Sequence, residues 1–260
     1  DNFGIRTNYG IKSTSLAAYT QIDWAITEKL HLLPGLRYNY DKKVAHYDRQ
    51  TYGGLETKDP ALQALKNAVY TNQTFAINAD EGNFSGQLST RYRFSPQLNA
   101  YATYSISYKP IGINVGGLPT DKGTVLLDLA EVKPEAVNHI EFGVKTNPSS
   151  NSLLNVSFYN TDIKDYQTQV QTPDPGVNRG YLANAEKVRV KGFEVDGNLN
   201  IGDFLKLNAA LAYTDAKYVK FTNAPVPLEE VGGAQAFKDV SGGRLPGVSK
   251  WAGSLGAETN

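Results

Sequence analysis

Segments in which apolar and polar residues alternate run through most of this chain. In LNAYATYSISYKP, residues 98–110, one face would carry the polar residues Asn99, Thr103, Ser105 and Ser107. The opposite face would carry Leu98, Ala100, Ala102, Tyr104, Ile106 and Tyr108. Because successive side chains of a β-strand point to opposite sides, this alternation predicts a strand with one apolar and one polar surface. The apolar surface would face the core of a soluble sandwich or the lipid around a membrane barrel.

The same alternation predicts nine strands, and their length distinguishes these two folds. The strands lie at about residues 14–26, 30–47, 82–94, 98–110, 135–147, 152–169, 182–200, 204–219 and 248–260. A globular strand usually has about 5–6 residues, whereas a tilted strand needs about 9–11 residues to cross a bilayer. The lengths therefore favour an all-β fold, an antiparallel transmembrane β-barrel.

The connections between these strands alternate in length. Short connections lie at residues 27–29, 95–97, 147–151 and 201–203, and long ones at about 48–81, 111–134, 170–181 and 220–247. Outer-membrane barrels have short periplasmic turns and longer extracellular loops, which accounts for this order. A soluble sandwich gives no reason for it.

Composition excludes several function classes. The longest uninterrupted apolar run, Ala209 to Tyr213, is far shorter than the roughly 18 residues of a transmembrane helix. The 26 basic and 26 acidic residues balance, so no basic surface for a nucleic acid is predicted. With no cysteine there is no disulfide or thiolate site. His46 and Asp48 share a strand face, but two ligands are too few for a closed metal site. No metal, cofactor or enzyme activity is predicted.

Several segments, taken in chain order, carry a family resemblance. They are LLPGLRYNYD, YATYSISYKPIGINVGGLP, VKPEAVNHIEFGVKT, VSFYNTDIKDYQTQV, YLANAEKVRVKGFEVDGNL, LAYTDAKY and DVSGGRLPGVSKW. Each motif alone is weak, but their order and spacing over residues 12–260 resemble the barrel of TonB-dependent outer-membrane receptors, of the siderophore-receptor type. The shared features are a Lys-Pro-Glu before a Glu-x-Gly strand, an Asn-Ala before a Gly-x-Glu strand, and a Gly-x-x-Leu-Pro before an aromatic strand.

The resemblance implies active transport across the bacterial outer membrane through a 22-stranded barrel with an N-terminal plug that engages TonB. The commonest cargo in this family is a ferric siderophore; other members import cobalamin, haem, copper chelates, oligosaccharides or peptides. This sequence contains neither a plug nor a TonB box, and it supplies nine strands. We therefore expect residues 1–260 to be part of one barrel domain, with further strands on both sides. A surface lipoprotein is a possible further partner.

Strand parity predicts which charged residues face the lumen. Two of them, on the strand that carries Phe84, Leu88, Tyr92 and Phe94 on its apolar face, are arginines. These residues could line a ligand path, contact the plug or only be solvated. The whole set is Arg37, Asp41, Arg91, Arg93, Glu141, Lys145 and Glu194, and Gln21 and Asp23 on the first strand are expected to face the lumen as well.

The long connections and one strand provide the remaining candidates. Binding residues often lie on loops and combine aromatic with polar groups. Ligand contacts are therefore predicted at Tyr52, Tyr108, Lys109, Arg179 and Tyr181. Packing of loop side chains on one another would explain the same pattern. Lipopolysaccharide contacts are predicted at three cations that share parity with Phe193, unless a bulge near Gly192 turns them inward: Lys187, Arg189 and Lys191.

A short amphipathic helix is predicted at about residues 60–70, with Asp59 as its N-cap and Pro60 at its first position.

Two other readings remain open at this point. A passive diffusion porin would lack a plug. A soluble β-sandwich binding module would have shorter strands and a core formed by Leu88, Tyr104 and Leu211.

Overall fold

Nine long antiparallel strands form one sheet whose order follows the chain. The structure, a computed structural model, describes residues 4–53, 56–63, 66, 71–121, 124–172, 180–231 and 233–259. The strands are β1 Gly4–Gln21, β2 Leu30–Tyr52, β3 Gln73–Ser95, β4 Leu98–Lys109, β5 Glu135–Thr146, β6 Ser152–Gln171, β7 Gly180–Ile201, β8 Leu205–Lys220 and β9 Trp251–Thr259. Each strand pairs with its neighbours in the chain. The predicted barrel architecture is confirmed as an arc, which within the described part of the chain is open.

Several strands extend beyond their predicted ends. The first begins at Gly4 instead of 14 and ends at Gln21, where 26 was predicted; the third begins at Gln73 instead of 82. Gly4 pairs with Tyr52 and Gln73 with Arg49, so these extensions lie together at one end of the sheet. Their residues lack clean alternation, and it is the pairing with the neighbouring strand that shows them to be extended.

The connections confirm the predicted short and long order. Short connections at 22–29, 96–97, 147–151 and 202–204 lie at one end of the sheet, and long ones at 53–72, 110–134, 172–179 and 221–250 lie at the other. The first short connection also contains Trp24–Ala25, which pairs with β2. Gly202 occupies the left-handed region, with φ of 59°, in the turn between β7 and β8.

Elements of the long connections are small. Gly112–Ile113 pairs with Glu131–Val132, Thr120–Asp121 with Thr124–Val125, and Ala224–Pro225 with Phe237–Lys238. Single turns of 3-10 helix lie at Leu127–Leu129 and Leu228–Glu230. Among the described residues, no helix is long and apolar enough to cross a membrane.

One face of the sheet is apolar and exposed. Leu88, Tyr104 and Leu211, which would form the core of a sandwich, are 50%, 52% and 46% exposed, so that alternative is wrong. On five neighbouring strands this face carries a row of rings in direct cross-strand register: Phe142, Phe158, Phe193, Tyr213 and Trp251. Their successive ring centroids are 5.2, 6.1, 5.8 and 4.8 Å apart. An exposed apolar surface of this kind is what a barrel presents to lipid.

The polar face is the concave one. The connection of residues 110–134 hydrogen-bonds to Lys43 of β2 and also to Gln167 of β6. Four steps of the sheet separate β2 from β6, so a single segment touches both only by crossing the inside of the arc.

A second long connection covers the concave face of β7 and β8. Val188, Ala216 and Tyr218 pack there with Phe221 and Leu245 of the connection of residues 221–250. The buried apolar core of the described chain therefore lies on the concave face at the long-connection end. Apolar residues along the rest of the sheet face outward.

Candidate functional site: the concave face

The register places the predicted lumen residues on one continuous face. Arg37 lies opposite Ser85, Glu141 opposite Thr103, and Glu194 opposite Ser157. The same parity includes Asp41, Arg91, Arg93 and Lys145. Their placement agrees with the predicted parity, whereas contact with a plug or ligand stays a prediction.

An inward tyrosine of β4 packs against the Glu-x-Gly strand, β5. Tyr101 lies opposite Gly143 and donates a hydrogen bond from its hydroxyl to Glu141 Oε1 at 2.5 Å. His139 contacts the other oxygen of Glu141 at 3.3 Å, and Lys145 Nζ lies 5.7 Å from the centre of the Tyr101 ring. The carboxylate is thus held by a phenol and an imidazole on the inner wall.

The Gly-x-Glu strand repeats this arrangement. Tyr159 lies opposite Gly192, and its hydroxyl is 3.0 Å from Thr214 Oγ1 on the next strand. Glycine gives the ring room because no Cβ intervenes. The sequence pattern did not reveal these inward tyrosines, since tyrosine is common on both faces of a strand; a glycine directly opposite is the signal that identifies them.

A charged cluster lies at the short-connection end of the concave face. Asp23 is 2.6 Å from His31 Nδ1 and 3.6 Å from Arg91. Arg93 donates a hydrogen bond to the carbonyl of Glu28 at 3.0 Å. Asp23 therefore joins the predicted lumen residues, and Arg93 stabilises the first short connection.

Two predicted ligand residues are held by carboxylates. The Tyr108 hydroxyl donates to Asp41 Oδ2 at 2.7 Å, and Lys109 Nζ is 3.2 Å from Glu135 Oε1. Strand parity placed Tyr108 on the apolar face; the chain leaves its pairing with β3 after Ile106, which frees Tyr108 to turn inward. The predicted orientation of Tyr108 is therefore wrong.

The other predicted ligand residues are dispersed. Tyr52 is exposed beside Gly4, whereas Tyr181 is 5% exposed and buried. Arg179 lies outside the described residues. Binding at any of these five positions stays a prediction.

A polar cavity of about 350 Å³ lies beside Tyr108 on the concave face. Seven of its eight lining residues carry side chains that can form hydrogen bonds, and the lining residues are Ser15, Arg37, Asn39, Asp41, Ser85, Ser107, Tyr108 and Pro110. Arg37 Nε donates to Asn39 Oδ1 at 2.5 Å, which orients the guanidinium within the cavity wall.

Three outward cations share the face of Phe193. Pairing is continuous through Gly192, so no bulge there turns the cations inward, and the register shift lies instead between Lys187 and Val188 on the β8 side. Arg189 forms two hydrogen bonds to Asp162, at 2.7 and 3.0 Å, and Lys187 Nζ lies 3.7 Å from the same carboxylate.

The predicted loop helix is present in part. Residues 60–63 and 66 are helical, and the N–H groups of Ala61 and Leu62 donate to Asp59 Oδ1 at 2.8 and 3.3 Å. Asp59 is therefore the N-cap, as predicted. Residues 64, 65 and 67–70 lie outside the described residues.

No three His, Asp or Glu side chains of the described chain form a group that could hold a metal ion.

Comparisons with known proteins place this architecture in a family. A family model described as TonB dependent receptor-like, beta-barrel, matches residues 1–260. The pesticin receptor of Yersinia enterocolitica is 26% identical over 193 residues, which are 73% of this chain and 24% of that protein. A probable TonB-dependent siderophore receptor of Acinetobacter baumannii, PiuA, is 25% identical over 61% of this chain and 21% of its own length. The chain thus spans about a quarter of these relatives.

Solved structures show the same fold. The ferric yersiniabactin uptake receptor FyuA from Yersinia pestis superposes with a TM-score of 0.71 at 17% identity, over 97% of this chain and 32% of that chain. The Acinetobacter baumannii receptor PiuA superposes with a TM-score of 0.66 at 19% identity, over 96% of this chain and 31% of its own.

A further relative by sequence is an outer-membrane protein of Vibrio cholerae, 23% identical over 84% of this chain and 30% of that protein. The protein is located in the bacterial outer membrane, and the chain belongs to the TonB-dependent receptor-like β-barrel family.

Proposed function

We propose that this chain forms part of a transporter that takes a ferric siderophore or a similar iron chelate across the outer membrane. The observation that carries the proposal is a concave face lined with charges and hydroxyls, with chain folded over its long-connection end. A hydrophilic ligand would travel along such a wall, since the outward face is apolar. Similarity to proteins named as siderophore receptors supports an iron chelate as the ligand.

Ligand contacts are proposed at the outer end of this wall. Tyr108 lines the polar cavity, and the next residue, Lys109, is paired with Glu135. Tyr52 at the end of β2, Tyr181 at the start of β7 and Arg179 are proposed as further contacts. Because Tyr181 is buried, a contact there requires the connections around it to move.

Energy coupling is proposed to act through a plug and TonB. The carboxylates Glu141 and Glu194 and the cations Arg37, Arg91 and Lys145 face the space where a plug would sit. Arg93 and Asp41 belong to the same wall. These residues are proposed to pair with a plug, whose rearrangement would release the ligand inward. No covalent chemistry is involved.

Lipid contact is proposed for the outer wall. Lys187, Arg189 and Lys191 continue the face of Phe193 toward the long-connection end, just beyond the aromatic row. Arginine and lysine at this position suit the phosphates of lipopolysaccharide. Asp162 neutralises part of this charge through its pairs with Arg189 and Lys187.

Ligand binding to the full-length receptor tests the proposal. Purified receptor is titrated with ferric catecholate, ferric hydroxamate, haem, cobalamin and glycans, with the iron-free chelators as controls. We expect one ferric chelate to bind tightly and its iron-free form weakly. Tight binding of a glycan or cobalamin alone would replace the iron assignment, and ion conductance in planar bilayers without ligand binding would favour a diffusion porin.

A further inference from the structure

Four side-chain amides fasten the connection of residues 110–134 to the barrel wall, three of them through reciprocal pairs of hydrogen bonds. We name its described residues, 110–121 and 124–134, the inner connection. Gln73 of β3 donates to the carbonyl of Leu118 at 2.8 Å and accepts from its N–H at 2.9 Å. Asn114 binds Leu182 of β7 in the same reciprocal way, at 2.9 and 2.8 Å.

The third amide closes the base of the inner connection. Asn184 of β7 accepts from the N–H of Lys133 at 3.0 Å and donates to its carbonyl at 3.0 Å. Gln167 of β6 adds bonds to the carbonyls of Pro110 and Lys133, at 2.9 and 3.0 Å. In each reciprocal pair a carboxamide takes the place of a neighbouring peptide group, so the segment is bound as an added strand would be.

Burial makes these bonds hard to break. Gln73 and Asn114 are buried, as are Leu118 and Val132 of the inner connection, both at 2% exposure or less. A buried amide that loses its partner stays unsatisfied, which is costly. Since the bonds reach β3 on one side and β7 on the other, opening the segment would break most of them together.

We infer that the inner connection is a fixed shelf that limits the size of ligand reaching the concave face and does not open during transport. This rests on the proposed uptake function only for the nature of the ligand. Gly116 and Leu127 of this segment are exposed. Gln73, Asn114 and Asn184 are its positioning residues. Any lid movement that uptake requires then belongs to other connections.

Spin-label distances in the full-length receptor test this inference. Labels are attached to Leu127→Cys on the shelf and Ser150→Cys in a short connection, since this chain has no cysteine of its own. We expect a narrow distance distribution in the ligand-free receptor and the same mean distance after ligand is added. In Gln73→Ala/Asn114→Ala the distribution should become about twofold wider, whereas the exposed-amide control Gln97→Ala should match the unmodified receptor.

A second readout tests selectivity. In the double variant, which lacks two of the tethers, the ratio of affinities for a compact and a bulky ferric chelate should fall about tenfold, which is about 1.4 kcal/mol. A broad distribution in the unmodified receptor, a mean distance that changes with ligand, or an unchanged ratio in a folded variant would overturn the shelf. The distance distribution of the ligand-free receptor does not depend on which cargo is transported. A failure of the iron assignment can therefore be distinguished from a failure of the shelf.

Discussion

The ring of Tyr101 occupies the space that a side chain on Gly143, its direct partner across the strands, would need. A Cβ on Gly143 would lie 2.7 Å from the Tyr101 ring. At Gly192 the same atom would lie 2.0 Å from the backbone carbonyl of Tyr213. A ring can move aside, whereas the backbone of a paired strand cannot.

Alanine at these glycines should therefore destabilise the barrel to different degrees. Gly143→Ala should lower the free energy of unfolding by about 1–3 kcal/mol, as overpacking usually does, and Gly192→Ala should cost more. Gly256→Ala is the matched strand control, because nothing lies within 4 Å of its added Cβ. Urea titration of the full-length receptor, followed by the shift of the folded barrel in gels, measures the order. Equal stability of all three variants would contradict the packing described.

The aromatic row should stabilise the barrel most at its centre. Phe193 contacts Phe158, Tyr213 and Trp251, with centroids 5.8–6.1 Å away, whereas Phe142 at the row's end contacts Phe158. Each aromatic pair contributes about 0.5–1.5 kcal/mol, so Phe193→Leu should cost more than Phe142→Leu. Unfolding in liposomes gives both values. A larger loss at Phe142 would show that the row does not act through ring contacts.

Lipopolysaccharide binding should depend on the three outward cations. The triple variant Lys187→Gln/Arg189→Gln/Lys191→Gln should purify with less lipopolysaccharide, because phosphate contacts are lost. Asp162→Asn should purify with more, since that carboxylate now pairs with Arg189 and Lys187. The amount is measured by phosphate and fatty-acid analysis.

The control for this prediction is Lys12→Gln/Lys42→Gln, which removes two outward cations on distant strands β1 and β2. If the triple variant retains as much lipopolysaccharide as the control, these three residues are not its binding site.

Tyr108 should affect ligand binding through its hydroxyl. Tyr108→Phe removes the bond to Asp41 in the polar cavity, so ferric chelate affinity should fall severalfold. Tyr104→Phe is the matched control on the same strand, because its hydroxyl bonds to Asn138 on the outward face. Calorimetric titration measures both, and equal affinities would exclude Tyr108 as a contact.

Residue alternation predicted the nine long strands and most of their facing, but not the first parts of β1 and β3. Leu88 and Arg91 follow the predicted parity, because an apolar side chain is favoured on the lipid face and a charged one on the aqueous face. Parity failed at Tyr108, where β4 leaves its neighbour. It also gave no sign of the amide tethers, since Gln73 lies in a predicted connection, 45 residues from Leu118, where an amide looks like any solvated one.

Iron uptake by cells that carry the full-length receptor as their only transporter for a given chelate tests the central claim most directly. Uptake of the radiolabelled ferric chelate is compared in otherwise identical strains with and without TonB. The account predicts saturable accumulation that is lost without TonB or the receptor. Accumulation that persists without TonB, or that rises linearly with chelate concentration, would contradict it.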